Sequence, residues 1–538
     1  MYVDMKTIGR RVFLKEGFAG AMGLAVASGA GLGSLSACSQ ETEQLLKKAV
    51  KMAGNYDVVV VGGGPAGFIA AIAAARQLNG LNASAATDPK EVSDTQNTTA
   101  LSTAATDPKE VSNTQNTTAP NTATTTQGQA KRAKVALIER YGFLGGMATM
   151  GYVAPLSVFA FVDKEKDPLH GELVIGGIPW EFVQRLEQMG GAFIEWPKAN
   201  VDFDIELYKL LTQRMVLEAG VDLYLHSSLI GCELDGNAIE KVFIENKNGL
   251  EALEAKRFID TTGDGDLAWM AGVPMQDNPD GDLQPSSFCF VLSGVDTESD
   301  LLKNCMYHNG LNGPSQCVPV REKLLQLKAE GADIPDFGGP WFNNVLHKGS
   351  VAVNITRTAA DSTDNRNFTD AECRLREDIF LFTDLLRKHF PEFKNCYVSS
   401  TAPQAGIRES RRIRGVHTVT GEEYVNAEHY PDSISRGAHP IDMHASKGSA
   451  QVRITLKQPA YVPYRALIAP DYPNLLVAGR CISTDRRALA SLRVQASCMG
   501  TGQAAGVAAA QSIAAGKNVQ DIDTDALVQT LRQIGAIL

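Results

Sequence analysis

The chain contains several short, uninterrupted apolar runs, and each of them leads into a glycine-rich or turn-forming segment. Continuous apolar runs of this kind are typical of strands that are buried on both faces of a parallel sheet. A helix of small residues is predicted directly after the first run, over residues 68–78, and another is predicted from Gly502 onwards. The pattern therefore predicts an α/β fold. The predicted buried strands are residues 56–61, 134–138, 258–260 and 474–478.

Residues 276–455 have a different pattern, in which strand and helix signals are mixed. Strands are predicted at 288–292 and 351–355, and residues 371–389 have the apolar spacing of an amphipathic helix. Because this region interrupts the set of parallel strands, we expect it to form an inserted α+β domain. Residues 56–275 and 456–538 would then form one discontinuous domain, after a linker at 38–55.

A polar segment, residues 82–130, separates the first predicted helix from the second strand. It contains a near-perfect duplication, since residues 85–100 recur as 104–119 with one difference, Asp94 against Asn113. Two polar copies without aromatic residues cannot bury enough apolar surface to offset the entropy of ordering them. We interpret the segment as a disordered surface loop that arose by duplication.

The N-terminal segment, residues 1–37, has the pattern of an export signal. A basic start precedes a weakly apolar stretch, residues 17–35, whose six glycines make it a poor membrane-spanning helix. Residues 9–15 (GRRVFLK) resemble a twin-arginine signal, and residues 35–38 (LSAC) resemble a lipoprotein box. The resemblance implies export of the folded chain and a lipid anchor on Cys38, on the extracytoplasmic face of a bacterial membrane.

The composition argues against several classes of function. Lys and Arg number 51 against 61 Asp and Glu, a net charge of −10, so the basic excess of a nucleic-acid-binding protein is missing. The nine cysteines include no C-x-x-C pair, which argues against zinc-ribbon, ferredoxin-type and thioredoxin-type sites. No metal site is predicted.

The first strand runs into residues 62–67 (GGGPAG), a G-x-G-x-x-G sequence between a predicted strand and a predicted helix. This context is typical of dinucleotide binding. Gly62 would allow the tight turn, Gly64 would let a pyrophosphate approach the backbone, and Gly67 would let the helix pack on the strand. The helix N-terminus would offer N–H groups and a positive dipole end to the phosphates.

The same fingerprint requires an acidic residue at the end of the second strand, about 20 residues further on. Glu139 ends the strand at 134–138, 72 residues after Gly67, and only 23 residues after it once the polar segment is left out. Glu139 is therefore the predicted ribose ligand.

Motifs further along the chain distinguish between NAD and FAD as the bound dinucleotide. Residues 260–266 (DTTGDGD), 474–480 (NLLVAGR) and 500–506 (GTGQAAG), in this order, resemble the fold in which FAD lies extended along one domain. Together with residues 139–149 (ERYGFLGGMAT) and 406–415 (GIRESRRIRG), they resemble the bacterial FAD-dependent oxidoreductase family related to the flavin-binding subunit of heterodisulfide reductase, in its flavin part only. The resemblance covers about residues 57–514.

This resemblance implies a Rossmann-like FAD-binding domain and a set of FAD contacts. Because no spaced cysteine set accompanies the motifs, iron–sulfur clusters are not expected and FAD is the only predicted cofactor. The pyrophosphate would meet Gly62, Gly64, Ala66 and Gly67; the adenosine end would meet Glu139 and Arg140, with Thr262, Gly263 and Asp266 on its other side; Gly145, Gly146, Met147 and Ala148 would line the path to the flavin; Gly479 and Arg480 would reach the ribityl chain; and Gly502, Gln503 and Ala504 would open a helix aimed at the flavin.

The region predicted to bind substrate is rich in arginine and histidine. Arg408 and Arg412 lie inside the family motif and are predicted to bind an anionic substrate group, since arginine grips carboxylates in a bidentate fork. His444 is a candidate proton donor or acceptor beside the flavin. Ordinary ion pairs or solvent-facing positions would also account for these residues. Other arginines and histidines in the same half are Arg357, Arg411, Arg414, Arg436, Arg465, Arg493, His417 and His439.

The sequence therefore predicts an exported FAD-dependent oxidoreductase that transfers hydride between flavin and a small polar substrate, with a carboxylate as one option. Electrons would pass to or from a cytochrome or a quinone-linked carrier, and neither nucleic acid nor a metal is expected as a partner. Two alternatives remain open from the sequence alone. One is a surface-anchored binding protein that has kept the flavin fold without catalysis, and the other is an FAD enzyme with a non-redox reaction.

Overall fold

A computed structural model describes residues 50–80, 132–277, 283–306, 316–448 and 450–538. The predicted export signal, the predicted lipid-anchor residue Cys38 and the duplicated segment lie outside these described residues. The strands are β1 Lys51–Val61, β2 Val135–Ile138, β3 Ala160–Phe161, β4 Glu172–Leu173, β5 Ala192–Glu195, β6 Asn200–Phe203, β7 Asp222–Tyr224, β8 Ser228–Asp235, β9 Ala238–Asn246, β10 Gly249–Asp260, β11 Phe290–Ser293, β12 Phe337–Asn344, β13 Ser350–Thr356, β14 Tyr397–Thr401, β15 Ser433–Gly437, β16 Ile441–His444, β17 Gln451–Ile454, β18 Ala460–Pro463 and β19 Leu475–Val477.

The α-helices are numbered in chain order, as the strands are. Within the described residues, none is long and apolar enough to cross a membrane. They are α1 Pro65–Leu78, α2 Ile178–Gln188, α3 Ile205–Glu218, α4 Asp266–Ala271, α5 Asp300–Cys305, α6 Val318–Ala329, α7 Asn365–His389, α8 Gly421–Asn426, α9 Arg486–Leu492, α10 Gln495–Ala515 and α11 Thr524–Gln533.

The larger sheet has seven strands in the order β7-β2-β1-β10-β9-β8, with β19 also paired to β10. The pairs of β1 with β2 and β10, and of β10 with β19, are parallel, as the continuous apolar runs predict. Residues 58–61 of β1 are buried. The strand begins at Lys51 rather than at residue 56, because its polar start also pairs with β10. Helices α1 and α10 pack closely against each other beside this sheet.

A second, four-stranded sheet has the order β12-β13-β11-β14. Its strands β11 and β13 correspond to the strands predicted at 288–292 and 351–355. Helix α7 begins at Asn365, six residues before the prediction, because the Asp364 side chain accepts hydrogen bonds from Arg366 N and Asn367 N and so caps it. The parallel sheet and this separate sheet confirm the predicted α/β class with an inserted α+β region. Two small two-stranded sheets follow it in the chain: β15 pairs with β18, and β16 and β17 form a hairpin between them.

Candidate functional site

A cavity of about 430 Å³ lies at the carboxyl ends of the parallel strands. Residues that follow β1, β2, β10 and β19 form one part of its wall, and residues of the four-stranded sheet and of the β16–β17 hairpin form another. Open α/β sheets bind ligands outside the carboxyl ends of their strands. The cavity therefore has the position of a dinucleotide site that continues towards the inserted region.

The glycine turn after β1 has the close packing that the sequence predicts. Gly62 has φ +100°, a left-handed conformation that favours glycine. A Cβ on Gly67 would clash with the Gly62 carbonyl oxygen, so helix α1 could not pack on the turn with a larger residue there. A Cβ on Gly64 would meet nothing nearer than Gly146 Cα, at 3.9 Å, which leaves backbone open to the cavity. The turn and the N-terminus of α1 suit an anionic pyrophosphate.

Glu139 stands at the end of β2 with its carboxylate on the cavity wall. Gly63 N donates to it at 2.7 Å and Tyr141 N donates at 3.0 Å. Burial raises the pKa of this carboxyl, while the two backbone hydrogen bonds act in the opposite direction. Beside it, Arg140 Nη2 donates to Gln404 Oε1 at 3.1 Å, and the Tyr141 hydroxyl donates to the same oxygen. The carboxylate is thus held in one orientation, as a ribose ligand requires.

The turn after β10 brings a buried charge network to the same cavity. Arg480 Nη2 donates to Asp264 Oδ1 at 2.7 Å, and Arg480 Nη1 donates to Ser410 Oγ at 2.7 Å. Asp266 lies beside this pair, where burial, and next the charge of Asp264, raise the pKa of its carboxyl to about 6. The Arg411 guanidinium forms an ion pair with Asp266. These contacts fix residues that follow two neighbouring parallel strands.

Most of the residues predicted to contact FAD line this one cavity, and some do not. The residues that line the cavity are Gly62, Gly64, Ala66, Glu139, Arg140, Gly146, Met147, Thr262, Gly263, Asp266, Gly479 and Arg480. Gly67, Gly145 and Ala148 do not line it. Gly145 supports the turn instead, since its N–H donates to the Gly63 carbonyl at 2.9 Å.

The predicted helix start at Gly502 is wrong. Helix α10 begins at Gln495, and Gly502 lies in its interior. A Cβ on Gly502 would clash with the Ala66 carbonyl oxygen, so this glycine lets α10 approach α1 rather than opening towards a ligand. Gln503 accepts a hydrogen bond from Ile178 N at 2.7 Å, and neither it nor Ala504 lines the cavity. The cavity instead meets Val494, Gln495 and Cys498, at the true start of the helix.

Of the three predicted catalytic residues, Arg408 and His444 line the cavity and Arg412 does not. Arg412 is buried in an ion pair with Glu409, at 3.0 Å, and Glu409 also binds Arg486 at 3.1 Å. Arg412 therefore holds the motif segment together, and this position does not support a contact with substrate.

His444 uses both ring nitrogens within the protein. Arg357 Nη2 donates to its Nδ1 at 2.8 Å, so Nε2 carries the hydrogen and donates to Asp442 Oδ2 at 3.1 Å. Burial lowers the pKa of His444 to about 3, and the charge of Arg408 lowers it as well. This bonding does not favour the predicted part of His444 in proton transfer, and it points to a positioning role.

Several cavity residues carry no sequence signal beyond belonging to an arginine- and histidine-rich half. Arg493, His439 and Asp442 lie on the wall together with Arg408. Arg493 Nη1 donates to Gln284 Oε1 at 3.1 Å and its Nη2 donates to the Asp442 carbonyl at 2.9 Å. Because these partners are far apart along the chain, no local motif marks them.

Comparison with known proteins identifies the class. The family model described as FAD dependent oxidoreductase matches residues 119–531, so the chain belongs to that family. It is an FAD-dependent oxidoreductase. A search of curated proteins found no significant match.

The solved structures that match this chain have low similarity to it. A geranylgeranyl bacteriochlorophyll reductase-like protein of Thermoplasma acidophilum is 13% identical, with 89% of this chain and 83% of that chain covered and a TM-score of 0.38. A triple mutant of a flavin-dependent brominase is 12% identical, with 89% and 84% covered and a TM-score of 0.40. A flavoprotein/dehydrogenase from Cytophaga hutchinsonii is 11% identical, with 89% and 84% covered and a TM-score of 0.36.

The cavity residues suit FAD. The open backbone at Gly64, the N-terminus of α1 and the fixed carboxylate of Glu139 all line this cavity, and they are the groups that bind a pyrophosphate and an adenosine ribose. When bound, FAD supplies a ring that accepts or donates a hydride. Among the described residues, no group of three or more His, Cys, Asp or Glu side chains could hold a metal ion.

Proposed function

We propose that this FAD-dependent oxidoreductase transfers hydride between FAD and a small anionic substrate, with a carboxylate as the charged group. The observation that carries the proposal is a cluster of three arginines, Arg357, Arg408 and Arg493, in which the charge of Arg408 acts on the other two. Arg408 and Arg493 line the cavity, and Arg357 lies behind His444.

The three guanidinium groups are only partly compensated: the charge of Asp442 raises the pKa of each, but one carboxylate faces three positive charges. No carboxylate among the described residues forms an ion pair with any of them. Arg408 Nη1 donates to the Pro285 carbonyl at 2.7 Å and to Ser287 Oγ at 2.8 Å, and both acceptors are neutral. Burial lowers the pKa of Arg357 and of Arg493 to about 10, and in both cases the positive charge of Arg408 is the next cause.

Enclosed positive charges that repel each other are costly unless an anion offsets them. A carboxylate between Arg408 and Arg493 would accept charge-assisted hydrogen bonds and relieve this repulsion. The planar guanidinium group matches the two oxygens of a carboxylate, which supports a carboxylate over a single point charge.

We also propose that the protein is exported and anchored by lipid on Cys38, and that a membrane or periplasmic carrier exchanges electrons with the flavin. The twin-arginine and lipoprotein-box sequences support this location. The disulfide between Cys305 and Cys317 supports it as well, because disulfides persist mainly in oxidising compartments. A cytochrome or a quinone-linked carrier is the expected partner, since nicotinamides stay in the cytoplasm and no second G-x-G-x-x-G follows a strand.

An anaerobic screen tests the reaction. Purified enzyme with its flavin is mixed with saturated, unsaturated and hydroxylated carboxylates and with their neutral amides, and bleaching or reoxidation of the flavin is followed by absorbance. We expect at least one acid to react and its amide to react far more slowly. Arg408→Gln should weaken the reaction of the acid at least about 10-fold, the size of one lost charged hydrogen bond. Arg366→Gln, on an exposed arginine in α7, should have no effect. Equal reaction of acid and amide would contradict the proposal.

A further inference from the structure

A second histidine on the cavity wall, His439, differs from His444 in its hydrogen bonding. It lies in the loop between β15 and β16. Its Nδ1 lies 2.7 Å from the Pro440 carbonyl oxygen. A carbonyl oxygen only accepts, so Nδ1 must carry the hydrogen and Nε2 must hold the lone pair. Among the described residues no partner is found for Nε2, which leaves this nitrogen to a ligand in the cavity.

The backbone of His439 is fixed as well. Ser491 Oγ donates to the His439 carbonyl oxygen, which ties the loop to α9. The imidazole is therefore held at one tautomer and one position on the wall, beside Asp442 and Arg493. A general base needs this combination of a lone pair, a fixed position and access to the reacting group.

We infer that His439 is the base that removes a hydroxyl proton from the substrate, which makes the substrate class an alcohol that carries a carboxylate. This inference rests on the proposed function. The substrate O–H proton passes to Nε2 of His439 while the hydride of the same carbon passes to FAD, and a C=O bond forms. The imidazolium then returns its proton to solvent when the keto acid or aldehyde acid leaves. The two electrons lost by the C–H bond are those that FAD gains.

The charged groups around His439 make its basicity depend on whether the substrate carboxylate is bound. Burial lowers the pKa of His439 to about 4; Asp442 on β16 opposes this, while Arg453 on β17 and Arg493 before α10 add to it. A carboxylate bound at Arg493 brings a negative charge that offsets the two arginines. His439 is thus a weak base in the empty site and a stronger base when the acidic substrate is present.

The test uses the full chain with bound FAD and four probes, glycolate, lactate, malate and gluconate, each with a matched acid that lacks the hydroxyl. At least one hydroxy acid should bleach the flavin anaerobically in stopped flow. His439→Gln should slow that bleaching about 100-fold or more, the usual contribution of a general base. Its dissociation constant for the matched acid, measured by the flavin absorbance shift, should change less than about 3-fold. His170→Gln, on an exposed histidine, is the control and should behave as wild type.

The pH profile separates a base from a merely structural residue. In wild type the bleaching rate should rise with pH through one ionisation, and His439→Gln should abolish that rise. Should His439→Gln fail to retain FAD, the wild-type profile decides, and a flat profile overturns the inference. Bleaching by none of the hydroxy acids, or equal rates in both proteins, also overturns it. If no acid of either kind perturbs the flavin, the proposed function fails; if unsaturated acids react and hydroxy acids do not, only this inference fails.

Discussion

At the scale of single residues, Glu139 is the predicted ligand of the adenosine ribose. Its carboxylate is fixed by the backbone N–H groups of Gly63 and Tyr141 and faces the cavity. Glu139→Ala should weaken FAD binding by about 10- to 100-fold, because hydrogen bonds to a charged group contribute about 1.5–3 kcal/mol. Flavin retained after dialysis measures this, with Glu245→Ala in β9 as a surface control. Unchanged FAD affinity would show that Glu139 is not the ribose ligand.

Asp266 gives a pH prediction at the same scale. Its pKa is raised to about 6 in the folded chain by burial and by the charge of Asp264, against about 3.9 in an unfolded chain. The folded state therefore binds more protons between these two values, and the stability of the apoprotein should fall as pH rises from about 4 to 6. In Asp266→Asn, the free energy of unfolding should lack this decrease, which is at most about 3 kcal/mol. Urea unfolding of both proteins at pH 4, 5, 6 and 7 measures the difference. Parallel pH dependences in the two proteins would contradict the assignment.

At the scale of elements, the contact between α1 and α10 depends on glycine. Gly502→Ala should destabilise the protein by about 1–3 kcal/mol, the usual cost of overpacking, although alanine favours a helix interior. The new Cβ would meet the backbone oxygen of Ala66, which cannot move without shifting the glycine turn. Gly500→Ala in the same helix is the matched control, because its Cβ meets the Ser435 hydroxyl, which can rotate away. Thermal unfolding should show the larger loss in Gly502→Ala, with loss of bound flavin; equal losses would contradict this packing.

The same elements show what the sequence can and cannot predict. The turn at 62–67 and Glu139 are local signals, since the glycines and the acidic residue stand at fixed distances from strands whose apolar runs are plain. The glycines at 500–506 are ambiguous, because glycine permits both a helix start and close helix packing. No local motif marks Arg493 or His439, and the sequence shows only that their region is rich in arginine and histidine. They share the cavity wall with Arg408 because tertiary contacts bring distant segments together.

At the scale of the whole molecule, the proposed location of the enzyme is outside the cytoplasm, on a lipid anchor. Cys38→Ser should move the protein from the membrane fraction to the supernatant, since the acyl chains would be the only proposed anchor. Fractionation followed by immunoblotting checks this, and Cys373→Ser, at an exposed free cysteine, is the matched control. Retention of Cys38→Ser in the membrane fraction would rule out the anchor.

The central claim is that one cavity holds FAD at the glycine turn and an anion at the arginine cluster. A crystal structure of the purified protein with oxalate tests it most directly. We expect FAD along residues 62–67 and Glu139, and oxalate within hydrogen-bond distance of Arg408 and Arg493. A cavity without FAD, or oxalate bound away from both arginines, would contradict the claim.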